Sequence, residues 1–192
     1  MEKECQLYKI GFDMDGVIID HTNLRIALAK KYGFSLTPEQ TQSDVLRTII
    51  PKMERNALQD TLYNDLEMAL SAPLMKGAYK GISILINEGF PIYLISRRKD
   101  PKLATRLLSA HGLWPDYFNK ENTFFVAEIE DKNEKAKVFG LTHYIDDEEK
   151  VLEALTDVPN KILFDQYNTS KNELRERINN WDELVSYFLK FN

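Results

Sequence analysis

Residues 8–20 read YKIGFDMDGVIID. A short apolar run ends at Asp13, a second carboxylate follows at Asp15, and Gly16 comes next. Asp is depleted in strands, so two of them flanking Met14 ask for more than a turn. Four further short runs, rich in β-branched and aromatic residues, repeat the pattern: PIYLIS to Ser96, FFVA at 124–127, HYI into Asp146 and KILF into Asp165. Helical stretches separate most of them. Residues 77–89 end on Gly89, Pro101 opens a helix stopped by Gly112, and WDELVSYFLKF from Trp181 is an amphipathic last helix. Strands alternating with helices predict an α/β fold, a Rossmann-like parallel sheet of about five strands with helices on both faces.

Residues 22–72 break the alternation. They hold no convincing strand and read as helices throughout: NLRIALAKKYG, TPEQTQSDVLRTI with Thr37 as N-cap, and PKMERNALQDTLYNDLEMAL. About 50 residues is far beyond an ordinary connection. The expected organisation is a core of residues 1–20 and 73–192 with an inserted helical cap at 21–72. No internal repeat or low-complexity stretch is present.

Composition bounds the function. The 192 residues carry a net charge of −5, with 43% hydrophobic and 29% charged residues, an ordinary globular mix. An acidic chain argues against a nucleic-acid polymer as partner. The single cysteine, Cys5, excludes an internal disulfide framework and a cysteine-built zinc site. No apolar signal region opens the sequence and no run approaches a membrane span, so the expectation is a cytoplasmic protein with no membrane partner.

Ligands of open α/β sheets bind beyond the carboxyl ends of the strands. The residues expected there are Asp13 and Asp15, Ser96, and Asp146 and Asp147, with Lys135 and Lys137 just upstream of the last pair. These residues, in this order, resemble the motifs of the haloacid dehalogenase (HAD) superfamily: IGFDMDG, the Ser-ended strand IYLIS, and EKAKVFGLTHYIDD for the lysine and the acidic pair. The resemblance runs from about Tyr8 to Asp165. The short helical block and the stretch APLMKGAYKGI are similar to the 5′-nucleotidase and deoxyribonucleotidase members.

That resemblance implies a phosphoric monoester hydrolase dependent on Mg²⁺, acting on a small phosphorylated metabolite such as a nucleoside monophosphate. Asp13 is then nucleophile and metal ligand, forming an aspartyl-phosphate. Asp15 is general acid and base with its carbonyl on the metal. Asp146 is the acidic ligand, Asp147 a direct or supporting ligand, and Ser96 a donor to the phosphoryl group. The lysine pairs with Asp13 and phosphate. Lys135 is favoured over Lys137 by its distance from Gly140, and the two point about 200° apart on a helix, so only one faces the site. Asp at position 15 favours ester hydrolysis, since dehalogenase members lack an acid there, with a phosphomutase as the lesser option.

Arg97 and His21 are candidate substrate contacts, although Arg97 and Arg98 also read as solvated loop charges. His111, His143, Trp114 and Trp181 read as packing or surface residues. Two other function classes compete. One is a non-catalytic phosphate-binding protein of the same fold, against which the complete set of acids, Ser and Lys argues. The other is a phospho-accepting receiver domain, which the 133 residues between Asp13 and Asp146 and the helical insert disfavour.

Overall fold

A computed structural model describes residues 8–98, 100–172 and 176–190; Cys5 lies outside them. Among these residues six strands form one parallel sheet: β1 (Ile10–Phe12), β2 (Ile92–Ser96), β3 (Thr123–Phe125), β4 (His143–Asp146), β5 (Asn160–Phe164) and β6 (Glu176–Ile178), in the spatial order β3-β2-β1-β4-β5-β6. The Rossmann-like class follows the sequence, and the count of about five becomes six. The added strand, β6, has one buried side chain, Ile178, beside an exposed Glu176. A three-residue edge strand of that composition has no apolar run to announce it.

Nine helices lie among the described residues: α1 (Thr22–Lys31), α2 (Ser43–Ile49), α3 (Lys52–Asn64), α4 (Leu66–Leu70), α5 (Ala78–Asn87), α6 (Pro101–Ala110), α7 (Ile129–Phe139), α8 (Glu149–Ala154) and α9 (Trp181–Leu189). On one sheet face Phe12 and Ile10 pack with Ile82 and Leu85 of α5 and with Trp181, Leu184 and Phe188 of α9. Trp181 stacks on Phe12 and its indole N–H donates to the Val17 carbonyl at 2.8 Å. Tyr144, Ile95 and Leu163 pack on the other face with Ala136 of α7 and Val151 and Leu152 of α8. Every one of these side chains is nearly or wholly removed from solvent.

The segment between β1 and α5 is helical, as expected, but more broken. TPEQTQSDVLRTI splits into a 3₁₀ turn (Glu39–Thr41) and α2, because Gln42 takes an extended ψ of 139° between them. Thr37 is not a side-chain cap there; its N–H donates to Gln40 Oε1 at 2.9 Å. The following stretch divides at Asp65, whose carboxylate accepts the Met68 N–H and so starts α4. Leu28, Ala29, Leu46, Ile50, Leu58 and Leu62 give α1–α3 an apolar cluster of their own. No helix among the described residues is long and apolar enough to cross a membrane.

Candidate active site

The strand order reverses direction between β1 and β4, the place where a doubly wound sheet opens a crevice. Ile10, Gly11 and Phe12 pair with His143, Tyr144 and Ile145, so the next residues on the two strands are Asp13 and Asp146. The Asp13 N–H donates to the Ile145 carbonyl at 2.9 Å, fixing that register. Two carboxylates 133 positions apart therefore meet because a parallel ladder aligns them. Asp147 joins them: carboxylate oxygens of Asp13, Asp146 and Asp147 lie within 4.8 Å of one another, all three buried.

The loop geometry after β1 serves the same point. Gly16 has φ +85°, and a Cβ added there would lie 2.5 Å from Cγ of Asp147. Only glycine tolerates both the left-handed backbone and that approach. The Asp15 N–H donates to Asp13 Oδ2 at 3.1 Å, and the Glu148 N–H donates to Asp146 Oδ1 at 3.0 Å.

The cation at this cluster is Lys132. Its ammonium donates to Asp13 Oδ1 at 2.6 Å and to Asp146 Oδ2 at 2.8 Å, fully buried. Burial works against its charge, but Asp13 and Asp146 outweigh it and hold Lys132 firmly protonated. Lys135 and Lys137 do not reach the site. The Lys135 ammonium lies over the Phe124 ring, 5.2 Å from its centroid, and Lys137 pairs at 3.4 Å with Asp157. The lysine at these carboxylates is thus Lys132 rather than the expected Lys135; it lies on the first turn of α7, beside the carboxyl ends of β1 and β4.

Ser96 ends β2 beside Asp13's strand, and its Oγ is buried without a hydrogen bond among the described residues. An orphaned buried hydroxyl is uncommon, and this one has a donor to offer beside Asp13. Asp15 is differently placed. Arg98 grips it with two bonds, Nε to Oδ2 at 2.7 Å and an NH₂ group to Oδ1 at 2.6 Å, and His21 Nε2 lies 2.7 Å from Oδ1. Burial alone would raise Asp15; the Arg98 guanidinium and His21 overcome it and hold the carboxyl well below the usual range.

The three clustered carboxylates behave oppositely. Burial raises Asp13, pushes Asp146 up to about 7 despite Lys132, and lifts Asp147 well above the carboxylate range, with Glu148 and Asp146 adding to the effect. Three buried, mutually repelling, all-oxygen donors, with Lys132 the one ammonium bonded to them among the described residues, are short of positive charge. A hard divalent cation coordinated by oxygen suits that donor set, and Asp13, Asp146 and Asp147 would hold it.

Residues 22–72 reach this centre. Ser43 Oγ donates to Asp147 Oδ2 at 2.7 Å, and Arg47 pairs with Glu148 at 2.5 Å. Arg25 donates to the Thr41 carbonyl at 2.7 Å and to the Tyr63 hydroxyl at 3.2 Å; the Arg98 guanidinium sits 4.4 Å from the Tyr63 ring centroid. A cleft of about 1030 Å³ opens between α3 and the ends of β1, β2 and β3, and it includes Asp13, Asp15, Ser96, Arg97 and Arg98. A second, small cavity of about 20 Å³ lies beside His21, Arg25 and Asp147, room for about one water. Arg97 lines the large cleft with one contact to Glu148, at 3.3 Å. His111 bonds the Ala72 carbonyl at 2.8 Å and His143 packs among aromatic rings, in keeping with packing roles.

No protein-family model and no curated protein matches the chain. Solved structures do. A HAD family hydrolase from Deinococcus radiodurans R1, with bound phosphate and sodium, superposes with a TM-score of 0.64 at 13% identity over 98% of this chain and 97% of that one. A HAD hydrolase, family IA, variant 3, from Entamoeba histolytica gives 0.62 at 16% over 96% and 98%. A HAD-superfamily hydrolase from Ehrlichia chaffeensis gives 0.57 at 12% over 95% and 96%. The chain has the fold of HAD hydrolases. The narrower likeness to nucleotidase members gains no support from these structures.

Proposed function

We propose that this protein is a Mg²⁺-dependent phosphatase that hydrolyses a small phosphomonoester through an aspartyl-phosphate on Asp13. The observation that carries the reading is the convergence of Asp13, Asp146 and Asp147 around one point with Lys132 hydrogen-bonded to two of them. A carboxylate and a phosphate dianion repel each other by about 4 kcal/mol per charge pair at 4 Å and an effective dielectric of 20. Positive charge must therefore be in place before attack. Mg²⁺ held by Asp13, Asp146 and Asp147 would supply part of it as a Lewis acid. Lys132 supplies more from the protein, and Ser96 Oγ, without another partner among the described residues, donates to a phosphoryl oxygen.

In the first step an Asp13 oxygen bonds to phosphorus, the bond to the leaving oxygen breaks, and that oxygen takes a proton from Asp15. In the second, water attacks phosphorus and returns a proton to Asp15 as the Asp13–phosphorus bond breaks and phosphate departs. Arg98 and His21 hold Asp15 ionised, the form the second step needs. The acid form requires Arg98 to release it, and the phosphoryl oxygens are the competing anion. Residues 21–72 act as a cap over the core of 1–20 and 73–192, closing the cleft and excluding water. A nucleoside monophosphate is one candidate substrate.

Purified protein assayed with p-nitrophenyl phosphate tests this. Turnover is expected with Mg²⁺, lost with chelator and lost in Asp13→Asn. Equal activity in wild type and Asp13→Asn would remove the mechanism.

A further inference from the structure

The cleft is much larger than a phosphoryl group requires and sits at the upper end of small-molecule sites. Its long wall is α3, which serves as a ruler. Tyr63 marks the inner end, where its ring meets Arg98 and its hydroxyl meets Arg25. At about 1.5 Å per residue, Asp60 lies ~4.5 Å and Asn56 ~10 Å further along the axis. Across the cleft, Phe125 and Val126 lead to Glu128, which precedes Lys132 by about one helical turn, ~6 Å.

Charge is therefore graded along the cleft. The cations of the lining, Arg25, Arg97 and Arg98, lie at the inner end, where Asp15 and Glu148 already pair with Arg98 and Arg97, whereas the outer lining holds the carboxylates Asp60 and Glu128 and, among the described residues, no cation. A second anionic group on the substrate would meet those two carboxylates. The outer wall also presents Asn56, Gln59 and Asn64, side chains that both donate and accept. Asn64 Nδ2 donates to Asp60 Oδ1 at 2.7 Å and so orients that carboxylate. Hydroxyl arrays satisfy amides and carboxylates together; ring carbons suit Phe125 and Val126.

Building on the phosphatase reading, we propose that the outer cleft is a subsite for an uncharged, hydroxyl-rich leaving group, with Asn56, Asp60 and Glu128 setting specificity against a second anion. A sugar and a nucleoside share that chemistry. Two matched pairs separate them: glucose 1-phosphate against glucuronic acid 1-phosphate, and uridine against orotidine 5′-monophosphate. Each pair differs by a carboxylate on the leaving group.

In at least one pair, kcat/KM of wild type is expected to favour the uncharged member about tenfold or more. Asp60→Lys and Glu128→Lys, both at exposed positions, should shrink that ratio severalfold. Calorimetry with Asp13→Asn and the same compounds reads the preference in Kd without turnover. Equal or inverted preference in both pairs, or ratios unmoved by both charge reversals, overturns the subsite. Selective binding by Asp13→Asn with no turnover of p-nitrophenyl phosphate by wild type would sink the phosphatase and leave the subsite standing. Turnover of p-nitrophenyl phosphate without selectivity does the reverse.

Discussion

The ammonium of Lys132 lies 2.6 Å from Oδ1 of Asp13, a contact between residues 119 positions apart with neither partner free to turn to solvent. Charge-assisted bonds of this kind are strong, and removing one buried partner leaves the other uncompensated. Lys132→Met should lower kcat/KM by about a hundredfold or more, because the cation that offsets attack by Asp13 is gone. Lys135→Ala and Lys137→Ala should stay within about twofold of wild type, since both side chains point elsewhere. Steady-state kinetics on the three variants checks this. A Lys135 effect as large as that of Lys132 would contradict the geometry.

Metal binding should be visible as stability. The clustered carboxylates are buried and raised, so a divalent cation that binds only the folded state relieves them. At a hundredfold excess over Kd the gain is about 2.7 kcal/mol. Thermal unfolding with and without Mg²⁺ should show a rise in Tm for wild type. The rise should be much smaller in Asp147→Asn and in Gly16→Ala, whose added methyl collides with the Asp147 carboxylate and strains a φ of +85°. An unchanged shift in Asp147→Asn would remove that residue from the metal site.

How much of this was legible in the sequence differs by residue. Asp13, Ser96 and Asp146 were legible because each ends an apolar run, and strand ends are where such sheets gather ligands; Asp15 was legible as the second carboxylate flanking Met14. Lys132 was not, because Lys132, Lys135 and Lys137 share one helix and look alike without its exact start. The Asp131 side chain accepting the Glu128 N–H at 3.0 Å sets that start. Reading Glu128-x-x-Asp131 as a helix opening would have put Lys132 one turn in, at the sheet edge. Arg98 reads as a loop charge in the sequence, since nothing local in Arg97-Arg98 tells which guanidinium turns onto Asp15. Ser43 and Arg25 were invisible for a related reason. Their partners, Asp147 and Tyr63, are supplied by the packing of distant segments, which no local pattern encodes.

Ser43 leads to a third prediction. Its hydroxyl bonds Asp147 Oδ2 at 2.7 Å from the first residue of α2. Groups that orient a metal-binding carboxylate typically contribute about 10- to 100-fold in affinity. Ser43→Ala should raise the Mg²⁺ concentration for half-maximal activity about tenfold, with a smaller change in kcat at saturating metal. Ser43→Thr should recover part of it. If the Mg²⁺ dependence is unchanged in Ser43→Ala, the contact does not govern the ligand.

His143 provides a test of stability against pH away from the metal cluster. It sits on β4 among Tyr8, Tyr187 and Phe188, with Thr142 Oγ1 2.9 Å from Nδ1, and burial pulls its pKa down to about 4. The unfolded chain protonates the same side chain near 6.5. Between these values the unfolded state holds more protons, so stability rises with pH. The His143 contribution is fully present above about pH 6.5 and is lost as pH falls towards 4, a difference on the order of 2–3 kcal/mol. Asp146, raised to about 7, acts in the opposite sense in the metal-free protein, losing stability as pH climbs towards that value. The comparison therefore belongs in saturating Mg²⁺. Denaturant unfolding of wild type and His143→Gln at pH 4.5 and 7 should show a shallower pH slope in the variant. Parallel slopes would mean that the imidazole takes its proton in the folded protein as readily as in the unfolded one.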